Sequence, residues 1–401
     1  MKKRVVIGLS GGVDSSVAAY LLKKEGYDVI ALFMINWKET TGTLSGSCPW
    51  EEDIIVAELV AKKLKIQFHW IDFTEQYRKK VVDYMFEEYE KGRTPNPDIL
   101  CNREIKFDLF INKAKELGAD YIATGHYCRH EILKINNVEI HRLLSGIDKQ
   151  KDQSYFLCQL SQEQLKNTLF PVGVLQKKEV RTIAEELKLP TSHKKDSQGI
   201  CFIGKVSLPE FLKQKLTPKD GLIIEIPDDN PQYYEYKKLL PPFENIDYEK
   251  IKELSTAFKY NLNQGKVVGK HKGAYYYTIG QNKGLNIGGR PEQSFVIGID
   301  TENNILYTGV GKNHPGLYRY GLFIRKDEIH WIREDLKMTM GEERDYFVRI
   351  RYRQPLEKAR LYNFNEGMYI IFYKPQRGIT PGQFAAWYDG EELIGSGVIS
   401  E

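Results

Sequence analysis

Apolar stretches and amphipathic segments alternate along the first 125 residues. The apolar stretches predict strands at residues 5–9, 28–34, 67–71 and 120–124. The segments between them carry apolar residues at helical spacing, which predicts helices at 15–25, 51–64, 74–89 and 102–117. Such alternation is typical of a parallel sheet with helices on both faces, so we predict an α/β N-terminal domain. Residues 151–190 are predicted to be mainly helical and polar.

The pattern changes after about residue 205. Strands are predicted at 274–279, 294–300, 305–310, 346–353, 368–373 and 384–388. Asn303-Asn304 and Asp389-Gly390 lie where hairpin turns belong. We therefore predict three domains: residues 1–205, a small β-rich domain at 206–312, and a C-terminal β-barrel at 313–401. Residues 227–264 are expected to be a surface insertion with close ends and one short helix at 248–258.

The loop after the first predicted strand has the sequence Ser10-Gly11-Gly12-Val13-Asp14-Ser15-Ser16. Glycines let a backbone approach an anion closely, and the helix N-terminus that follows supplies N–H donors and positive potential. The loop lacks the Gly-Lys-[Ser/Thr] ending of a Walker A motif, and it lacks the spacing of a dinucleotide fingerprint. It favours a phosphate site, with a plain glycine-rich connection as the alternative.

Two cysteines end loops rich in Pro, Asn, Asp, Ser or Gly. Cys101 follows residues 93–100 and Cys201 follows residues 195–200, each with Lys or Arg nearby. Neighbouring cations favour the thiolate, the reactive form of cysteine. The alternative is that both are small core hydrophobes, which is how we interpret Cys48, Cys128 and Cys158.

Composition limits the compartment and the class of protein. The chain has 401 residues, a formal net charge of +4 and five cysteines, with no pattern of a disulfide framework. Mean hydropathy is −0.46, and no apolar run approaches the length of a membrane span. The apolar run at 5–9 is too short for a signal peptide. We expect a cytoplasmic protein that does not span a membrane.

The motifs together resemble a known family. Ser-Gly-Gly-x-Asp-Ser after an N-terminal strand resembles the pyrophosphate loop of the PP-loop ATP-pyrophosphatases. Residues 95–102, 125–127, 151–157, 196–204, 277–281, 351–354 and 380–383 resemble, in the same order, the motifs of the tRNA-specific 2-thiouridylases. The resemblance runs from residue 8 to residue 383 and so covers nearly the whole chain.

This resemblance implies a fold, a reaction and partners. The implied fold begins with a PP-loop domain that binds ATP with Mg²⁺. The implied reaction is 2-thiolation of the wobble uridine of the tRNAs for Lys, Glu and Gln, by adenylation of the C2 oxygen and persulfide transfer. The implied partners are tRNA and a sulfur donor, which is a persulfide-carrying protein or a cysteine desulfurase.

The resemblance also implies roles for residues. Cys201 would hold the persulfide, Cys101 would be the resolving thiol or an acid/base, and Asp98 would be a general acid/base. ATP would be lined by Gly8, Leu9, Ser10, Gly11, Gly12, Val13, Asp14, Ser15, Met34 and Gly125. The target base would meet Asn96, Pro97 and Asp98, and tRNA would meet His126, Lys151, Asp152, Gln153, Arg351, Tyr352 and Gln383.

Three further expectations concern the charged residues of two segments and the spacing of the cysteine pair. Alternation over 346–353 predicts one strand face carrying Arg349, Arg351 and Arg353, suited to phosphates or simply solvated. The charged residues of 177–195 are interpreted as a second basic patch or as a solvent-facing helix. We also expect Cys101 and Cys201 to lie apart in the resting state, because their loops must move during sulfur transfer.

Two other functions remain open from sequence alone. One is a different PP-loop ligase that adenylates a carboxylate or urea group, which would not require two loop cysteines. The other is a non-catalytic RNA-binding protein with a degenerate ATP loop. The complete Ser-Gly-Gly-Val-Asp-Ser sequence and the presence of both cysteines argue against the second.

Overall fold

A computed structural model describes residues 2–40, 49–196, 199–204, 206–239 and 246–400. The first seven strands are β1 (Arg4–Gly8), β2 (Asp28–Ile35), β3 (Gln67–Asp72), β4 (Tyr121–Ala123), β5 (Cys128–Ile135), β6 (Val138–Ser145) and β7 (Thr168–Leu169). Five of them form a parallel sheet in the order β3-β2-β1-β4-β7. The four predicted strands are confirmed, and the two-residue β7 is an addition within the stretch predicted to be helical.

The N-terminal helices are α1 (Val13–Lys24), α2 (Pro49–Leu64), α3 (Thr74–Tyr77), α4 (Asp83–Glu90), α5 (Pro97–Cys101), α6 (Phe110–Glu116), α7 (Gln162–Lys166) and α8 (Lys177–Glu186). π-Helical segments, Arg78–Val82 and Asn102–Leu109, join α3 to α4 and α5 to α6. The helix predicted at 102–117 therefore begins earlier, at Pro97, because Asn96 caps it and proline suits the first helical position. Cys101 lies in this helix and not at the end of a loop.

Alternate residues of the sheet strands enter two separate cores, as a sheet covered on both faces requires. Val6 and Leu32 pack on one face with residues of α4 to α6, and Val5 and Ala31 pack on the other with residues of α1, α2 and α8. The loops after β1 and β4 leave the same edge of the sheet on neighbouring strands. This edge is where open α/β sheets bind ligands.

A β-hairpin made of β5 and β6 was not predicted. Asn136 and Asn137, with φ of +48° and +65°, form its turn, which is a hairpin signal that the sequence interpretation overlooked. β6 pairs with β18 (Glu392–Val398) at the end of the chain. The hairpin therefore extends the C-terminal sheet across the predicted boundary at residue 205.

The middle region is a four-stranded sheet in the order β10-β11-β8-β9. Its strands are β8 (Gly221–Glu225), β9 (Lys266–His271), β10 (Ser294–Asp300) and β11 (Ile305–Val310). The predicted strand at 274–279 is wrong: Ala274–Tyr276 is a 3₁₀ turn that buries Ala274 and Tyr276. Its apolar residues face a core without entering a sheet.

The insertion at 227–264 leaves and rejoins the sheet at one place, because Glu225 pairs with Lys266. Its predicted close ends are thus confirmed. After α9 (Leu208–Leu212), the chain forms α10 (Pro231–Lys238) and α11 (Tyr248–Ser255), where a single helix was predicted. Ile251 and Leu254 of α11 pack on Tyr362, Tyr369 and Ile371 of the C-terminal sheet, so the insertion is more than a surface excursion.

The C-terminal strands are β12 (Tyr318–Arg325), β13 (Ile329–Trp331), β14 (Glu343–Arg349), β15 (Glu357–Asn363), β16 (Gly367–Arg377), β17 (Phe384–Asp389) and β18. They form the β-barrel, with the strand order β12-β16-β15-β14-β17-β18 around an apolar core. The predicted arginine face at 346–353 is wrong. β14 ends at Arg349, whose side chain is buried against Asp152, and Arg353 has a φ of +65° outside any strand.

Candidate active site

The loop between β1 and α1 is shaped by two glycines with different roles. Gly11 has a φ of +71°, and a Cβ there would lie 2.4 Å from the Asp53 carbonyl oxygen. Gly12 has ordinary backbone angles, and a Cβ there would meet only Ser10 Oγ, at 3.4 Å. Gly11 is therefore needed for the loop to close on α2. Gly12 leaves its face of the loop open to a ligand.

The remaining residues predicted to line ATP gather around this loop. A Cβ on Gly125 would lie 2.7 Å from the Ser15 backbone nitrogen, so only glycine lets the loop after β4 approach α1 this closely. Met34 Cε lies 3.5 Å from the Cβ position of Gly8. The structure thus brings the turn at residues 8–15 together with Met34 and Gly125 at the carboxyl edge of the sheet.

Asp14 in this loop has partners that were not predicted. Lys177 Nζ, from the first turn of α8, lies 2.7 and 2.8 Å from the two Asp14 oxygens, and Tyr127 donates its hydroxyl to Asp14 at 2.7 Å. Lys177 also pairs with Asp196 at 2.9 Å. No linear pattern distinguishes Lys177 from the other basic residues of its segment.

Three cationic side chains contact Asp196, which lies at the start of the segment that leads to Cys201. Lys151, Lys177 and Arg181 approach its carboxylate to between 2.5 and 2.9 Å. Burial raises the pKa of Asp196, but hydrogen bonds from Lys151 and Lys177 outweigh that effect and lower it to about 2. Through Asp196 and Lys177, the Cys201 segment connects to Asp14 of the glycine loop.

Cys201 lies in a tight turn. Ile200 and Gly204 exchange backbone hydrogen bonds of 3.0 and 2.8 Å, and Phe202 adopts a φ of +66°, which is rare for a bulky residue. The Cys201 N–H donates to Asp98 Oδ1 at 2.9 Å, and the Tyr77 hydroxyl donates to its carbonyl at 2.7 Å. These bonds from two separate elements fix the backbone of the turn.

Cys101 and Cys201 carry free thiols that lie near enough for each to change the acidity of the other. Asp98, one turn of helix before Cys101, binds the Cys201 backbone directly, so the two cysteine segments lie side by side. The expectation that the two sulfurs lie apart in the resting state stays a prediction. Cys101 is fully buried and Cys201 is half-buried. Cys128 and Cys158 are buried, in agreement with a structural role.

The two thiols differ in acidity. Burial raises the pKa of Cys101 well above its usual range, and the neighbouring Cys201 thiol adds to the rise. The neighbouring Cys101 thiol lowers the pKa of Cys201 to about 7; burial opposes this effect and the charge of Lys106 supports it. Burial raises the pKa of Asp98, so this carboxyl suits proton transfer. The site therefore pairs a neutral thiol with a more acidic one.

The loop predicted to meet the target base is held by the barrel. Asn96 accepts a hydrogen bond from the Ile99 N–H and caps α5. Gln383, at the start of β17, donates to the carbonyls of Thr94 and Pro95 at 2.8 and 3.1 Å and accepts from Asn96 at 3.4 Å. Gln383 thus lies at the predicted base loop although it is 287 residues from Asn96.

The other residues predicted to contact tRNA divide into two groups. Lys151, Gln153, Arg351 and Tyr352 are half-buried. Tyr352 packs on Phe156 with ring centroids 4.4 Å apart, and Arg351 bonds the Gly378 carbonyl.

The second group is buried. Asp152 accepts from the Gly146 and Ser154 N–H groups and pairs with Arg349 at 3.0 Å. His126 is bonded to Thr124 at 2.7 Å, and burial holds its pKa well below the usual range. In this structure both side chains have partners inside the protein, and their contact with tRNA stays a prediction.

Some predicted elements lie outside the described residues. They are Cys48 with most of the loop at 38–50, Ser197 and Gln198 of the Cys201 motif, and residues 240–245 of the insertion at 227–264. Within the described ranges, no group of three or more His, Cys, Asp or Glu is arranged to hold a metal ion. In those ranges no helix combines the length and the apolar character needed to cross a membrane.

Comparisons with known proteins give a consistent result. Family models match residues 3–205 (tRNA methyl transferase HUP domain), 252–310 (tRNA methyl transferase PRC-barrel domain) and 323–399 (Aminomethyltransferase beta-barrel domain). A solved complex of a 4-thiouridine synthetase with RNA and bound ATP is 16% identical over 53% of this chain and 50% of that chain, with a TM-score of 0.33. At this identity and TM-score, the solved complex gives no information about the function of this chain.

Full-length relatives are much closer. The tRNA-specific 2-thiouridylase MnmA of Christiangramia forsetii is 58% identical, with 99% of this chain and 100% of the relative aligned. The protein of the same name from Flavobacterium johnsoniae is 57% identical with the same coverage. This chain belongs to the family of tRNA-specific 2-thiouridylases.

Proposed function

We propose that this protein is an ATP-dependent tRNA-uridine 2-sulfurtransferase acting on the wobble uridine of the tRNAs for Lys, Glu and Gln. The observation that carries the proposal is the hydrogen bond from the Cys201 backbone to Asp98, which brings the Cys201 turn beside the helix that carries Cys101. A PP-loop ligase that forms amides has no use for two cysteines on neighbouring segments. Membership of the 2-thiouridylase family supports the same reaction.

The first step activates the base. Carbon 2 of uridine is a poor electrophile because oxide is a poor leaving group. Its oxygen attacks the α-phosphorus of ATP, pyrophosphate leaves, and the oxygen becomes part of AMP. Gly12 and the N-terminus of α1 offer N–H donors to the phosphates. Lys177 is placed to pair with the phosphates once its ammonium group leaves Asp14.

Asp14 is the residue we propose to hold Mg²⁺ together with the phosphates. One carboxylate plus substrate oxygens is a common magnesium environment, and it needs no cluster of protein ligands. When bound, the ion neutralises charge on the departing pyrophosphate. Lys177 and Tyr127 hold the Asp14 carboxylate beside the loop, ready for this exchange.

The second step transfers sulfur. The terminal sulfur of a Cys201 persulfide attacks carbon 2, AMP leaves, and the base is joined to Cys201 through two sulfurs. The Cys101 sulfur then attacks Cys201 Sγ; the S–S bond to the base breaks and 2-thiouridine is released. Asp98 accepts the Cys101 proton. The resulting Cys101–Cys201 disulfide is reduced by an external thiol, which takes part as a two-electron co-reactant.

The partners follow from this chemistry. The sulfur donor is a protein that carries a persulfide, or a cysteine desulfurase, since a thiolate can acquire sulfane sulfur from either. tRNA contacts Lys151, Gln153, Arg351, Tyr352 and Gln383. It also contacts His126 and Asp152 if these side chains exchange their hydrogen bonds inside the protein for hydrogen bonds to the RNA. The reducing cytoplasm is the proposed compartment, because it keeps both thiols available between turnovers.

Separate substitutions of the two cysteines test this proposal. Cys201→Ser is expected to abolish protein-bound labile sulfur and all thiolation. Cys101→Ser is expected to accept the persulfide but to release little 2-thiouridine. Cys158→Ser is the matched control, because Cys158 is a buried cysteine outside the site. Full activity of both site variants would overturn cysteine-based transfer, and labile sulfur retained only by Cys201→Ser would reverse the two roles.

A further inference from the structure

Most arginines of this protein are paired with a carboxylate, and the exceptions are confined to the barrel region. Among the described residues, Arg319, Arg351, Arg353 and Arg377 form no ion pair, whereas each of the other arginines there has an Asp or Glu partner. Arg353 is exposed and stacks on Tyr352, but the other three meet at the turn that follows β16. Positive charge at this turn is therefore left without a carboxylate partner.

The shape of this turn allows Arg351 to lie against it. The Arg351 guanidinium donates to the Gly378 carbonyl and, at 3.4 Å, to the Thr380 hydroxyl. Gly378 has a φ of +64°, and a Cβ there would lie 2.5 Å from Arg351 Nη2, so only glycine leaves room for this contact. Arg319 is buried and donates to the Ile379 carbonyl at 3.5 Å. Two arginines thus bind successive carbonyls of one turn.

Arg377 immediately precedes the turn, at the end of β16. Its guanidinium carbon lies 4.7 Å from the centroid of the Phe295 ring, which comes from β10 of the middle sheet. Stacking on a ring fixes the plane of a guanidinium group without using its N–H groups. The Nε–H of Arg377 is buried and has no hydrogen-bond acceptor within the described part of the chain, which costs free energy. Arg377 therefore keeps donors for a ligand.

The class of ligand follows from having two guanidinium groups at one turn. Burial lowers the pKa of Arg351, and the charge of Arg377 adds to that effect, but an arginine stays protonated at physiological pH. Two like charges near each other repel unless an anion compensates for them. The planar fork of a guanidinium group matches the oxygens of a phosphate, which can accept from both arginines at once. The ligand that fits is a phosphate group.

The same stretch of chain also holds the loop predicted to meet the target base. The Thr94 N–H donates to the Pro381 carbonyl at 2.8 Å, and Gln383 donates to the carbonyls of Thr94 and Pro95. Residues 377–383 thus connect the two arginines to the base loop. When a base leaves its stack, the backbone beside it must rotate, so a phosphate contact at this place would hold the rotated backbone.

We propose that Arg351 and Arg377 form a phosphate site for tRNA, which holds the backbone phosphate next to the nucleotide whose base enters the active site, with Phe295 as the platform for Arg377. Arg377 is not among the residues predicted to contact tRNA, and Phe295 brings the middle sheet into the RNA-binding surface. A phosphate contact carries no sequence information, but it sets the position of the flipped nucleotide. The site rests on the proposed function in one respect, that the RNA bound is tRNA.

The test is the salt dependence of tRNA binding by the full-length protein, measured by fluorescence anisotropy with unmodified tRNA for Glu and without ATP or a sulfur donor. Arg377→Gln is expected to reduce the slope of log affinity against log salt by about one. Binding at about 0.1 M salt should weaken about fivefold to tenfold, because one phosphate contact fewer is made. Arg377→Lys should keep the wild-type slope, because the charge remains. Arg325→Gln is the matched control, because Arg325 pairs with Glu328 on the exposed surface of the barrel.

The place of the phosphate is tested with an anticodon stem-loop RNA in which one linkage beside the wobble nucleotide is a neutral methylphosphonate. Wild type should lose about fivefold to tenfold in affinity at one of the two linkages, and Arg377→Gln should lose nothing further there. An unchanged salt slope in Arg377→Gln overturns the proposal. So does a wild-type affinity that neither neutral linkage lowers, a result that needs no variant to fold. A purely structural role for Arg377 would make the two losses additive, which also overturns it. Absence of thiolation in tRNA that binds with the expected slopes would count against the proposed reaction and not against the phosphate site.

Discussion

At the scale of single residues, the two glycines of the loop after β1 serve different ends. Gly11 has a positive φ and would collide with the Asp53 carbonyl if it carried a Cβ, whereas the space beside Gly12 is open. A side chain at Gly12 is therefore compatible with the fold but occupies the face where the phosphates would bind. Gly11 is thus required for the fold, whereas Gly12 is required for ligand binding.

Gly12→Val is predicted to lose ATP binding and keep its fold. Gly11→Val is predicted to lose ATP binding and also to unfold at a lower temperature, because its Cβ would force the backbone at Asp53 to move. Isothermal titration with ATP and circular dichroism measure the two effects. Unchanged ATP affinity in the Gly12→Val protein would refute the assignment of this loop.

Gln383 supports the base loop through two hydrogen bonds to Thr94 and Pro95 carbonyls. Gln383→Glu keeps the size of the side chain and removes both N–H donors. We predict faster amide hydrogen exchange at residues 96–101, with a loss of about 1 to 3 kcal/mol of local stability. Exchange unchanged from wild type would show that the loop is held without this contact.

At the scale of elements, the insertion helix α11 covers part of the barrel. Leu254 is fully buried against Tyr369 and Ile371, so Leu254→Ala should lower the free energy of unfolding by about 2 to 5 kcal/mol. Glu253→Ala on the exposed side of the helix should change it by less than about 0.5 kcal/mol. Chemical denaturation measures both. Equal, small effects would mean that the insertion is dispensable for stability.

Most elements could be predicted because their signals are local. The strands β1 to β4 follow from apolar runs, and the close ends of the insertion follow from the strands that flank it. The run 274–279 has strand-like composition, but its apolar side chains fill a core from a turn. Composition alone does not distinguish these two ways of burying apolar residues.

The site was only partly predictable for a similar reason. The glycine loop and both cysteines belong to continuous motifs, whereas Lys177 acts on Asp14 through a contact that the fold creates. Arg349 alternates like a surface residue because its partner Asp152 is 197 residues away.

At the scale of the whole molecule, the N-terminal and C-terminal regions share structure. β6 pairs with β18, and Phe384, Tyr388 and Val398 of the barrel belong to the core beneath the parallel sheet. We predict that residues 1–205 alone would expose this edge and bind a hydrophobic dye or aggregate. Size-exclusion chromatography of that fragment, with and without co-expressed residues 206–401, tests this. A monomeric fragment with cooperative unfolding would contradict it.

The reaction itself can be measured on the full-length protein. The most direct measurement incubates the full-length protein with ATP, a sulfide or persulfide source and unmodified tRNA for Lys, Glu or Gln, followed by nucleoside mass spectrometry. We predict 2-thiouridine at the wobble position, formed only when ATP is present and absent with Cys201→Ser. Unmodified uridine despite bound ATP and tRNA, or equal product from Cys201→Ser, would contradict it.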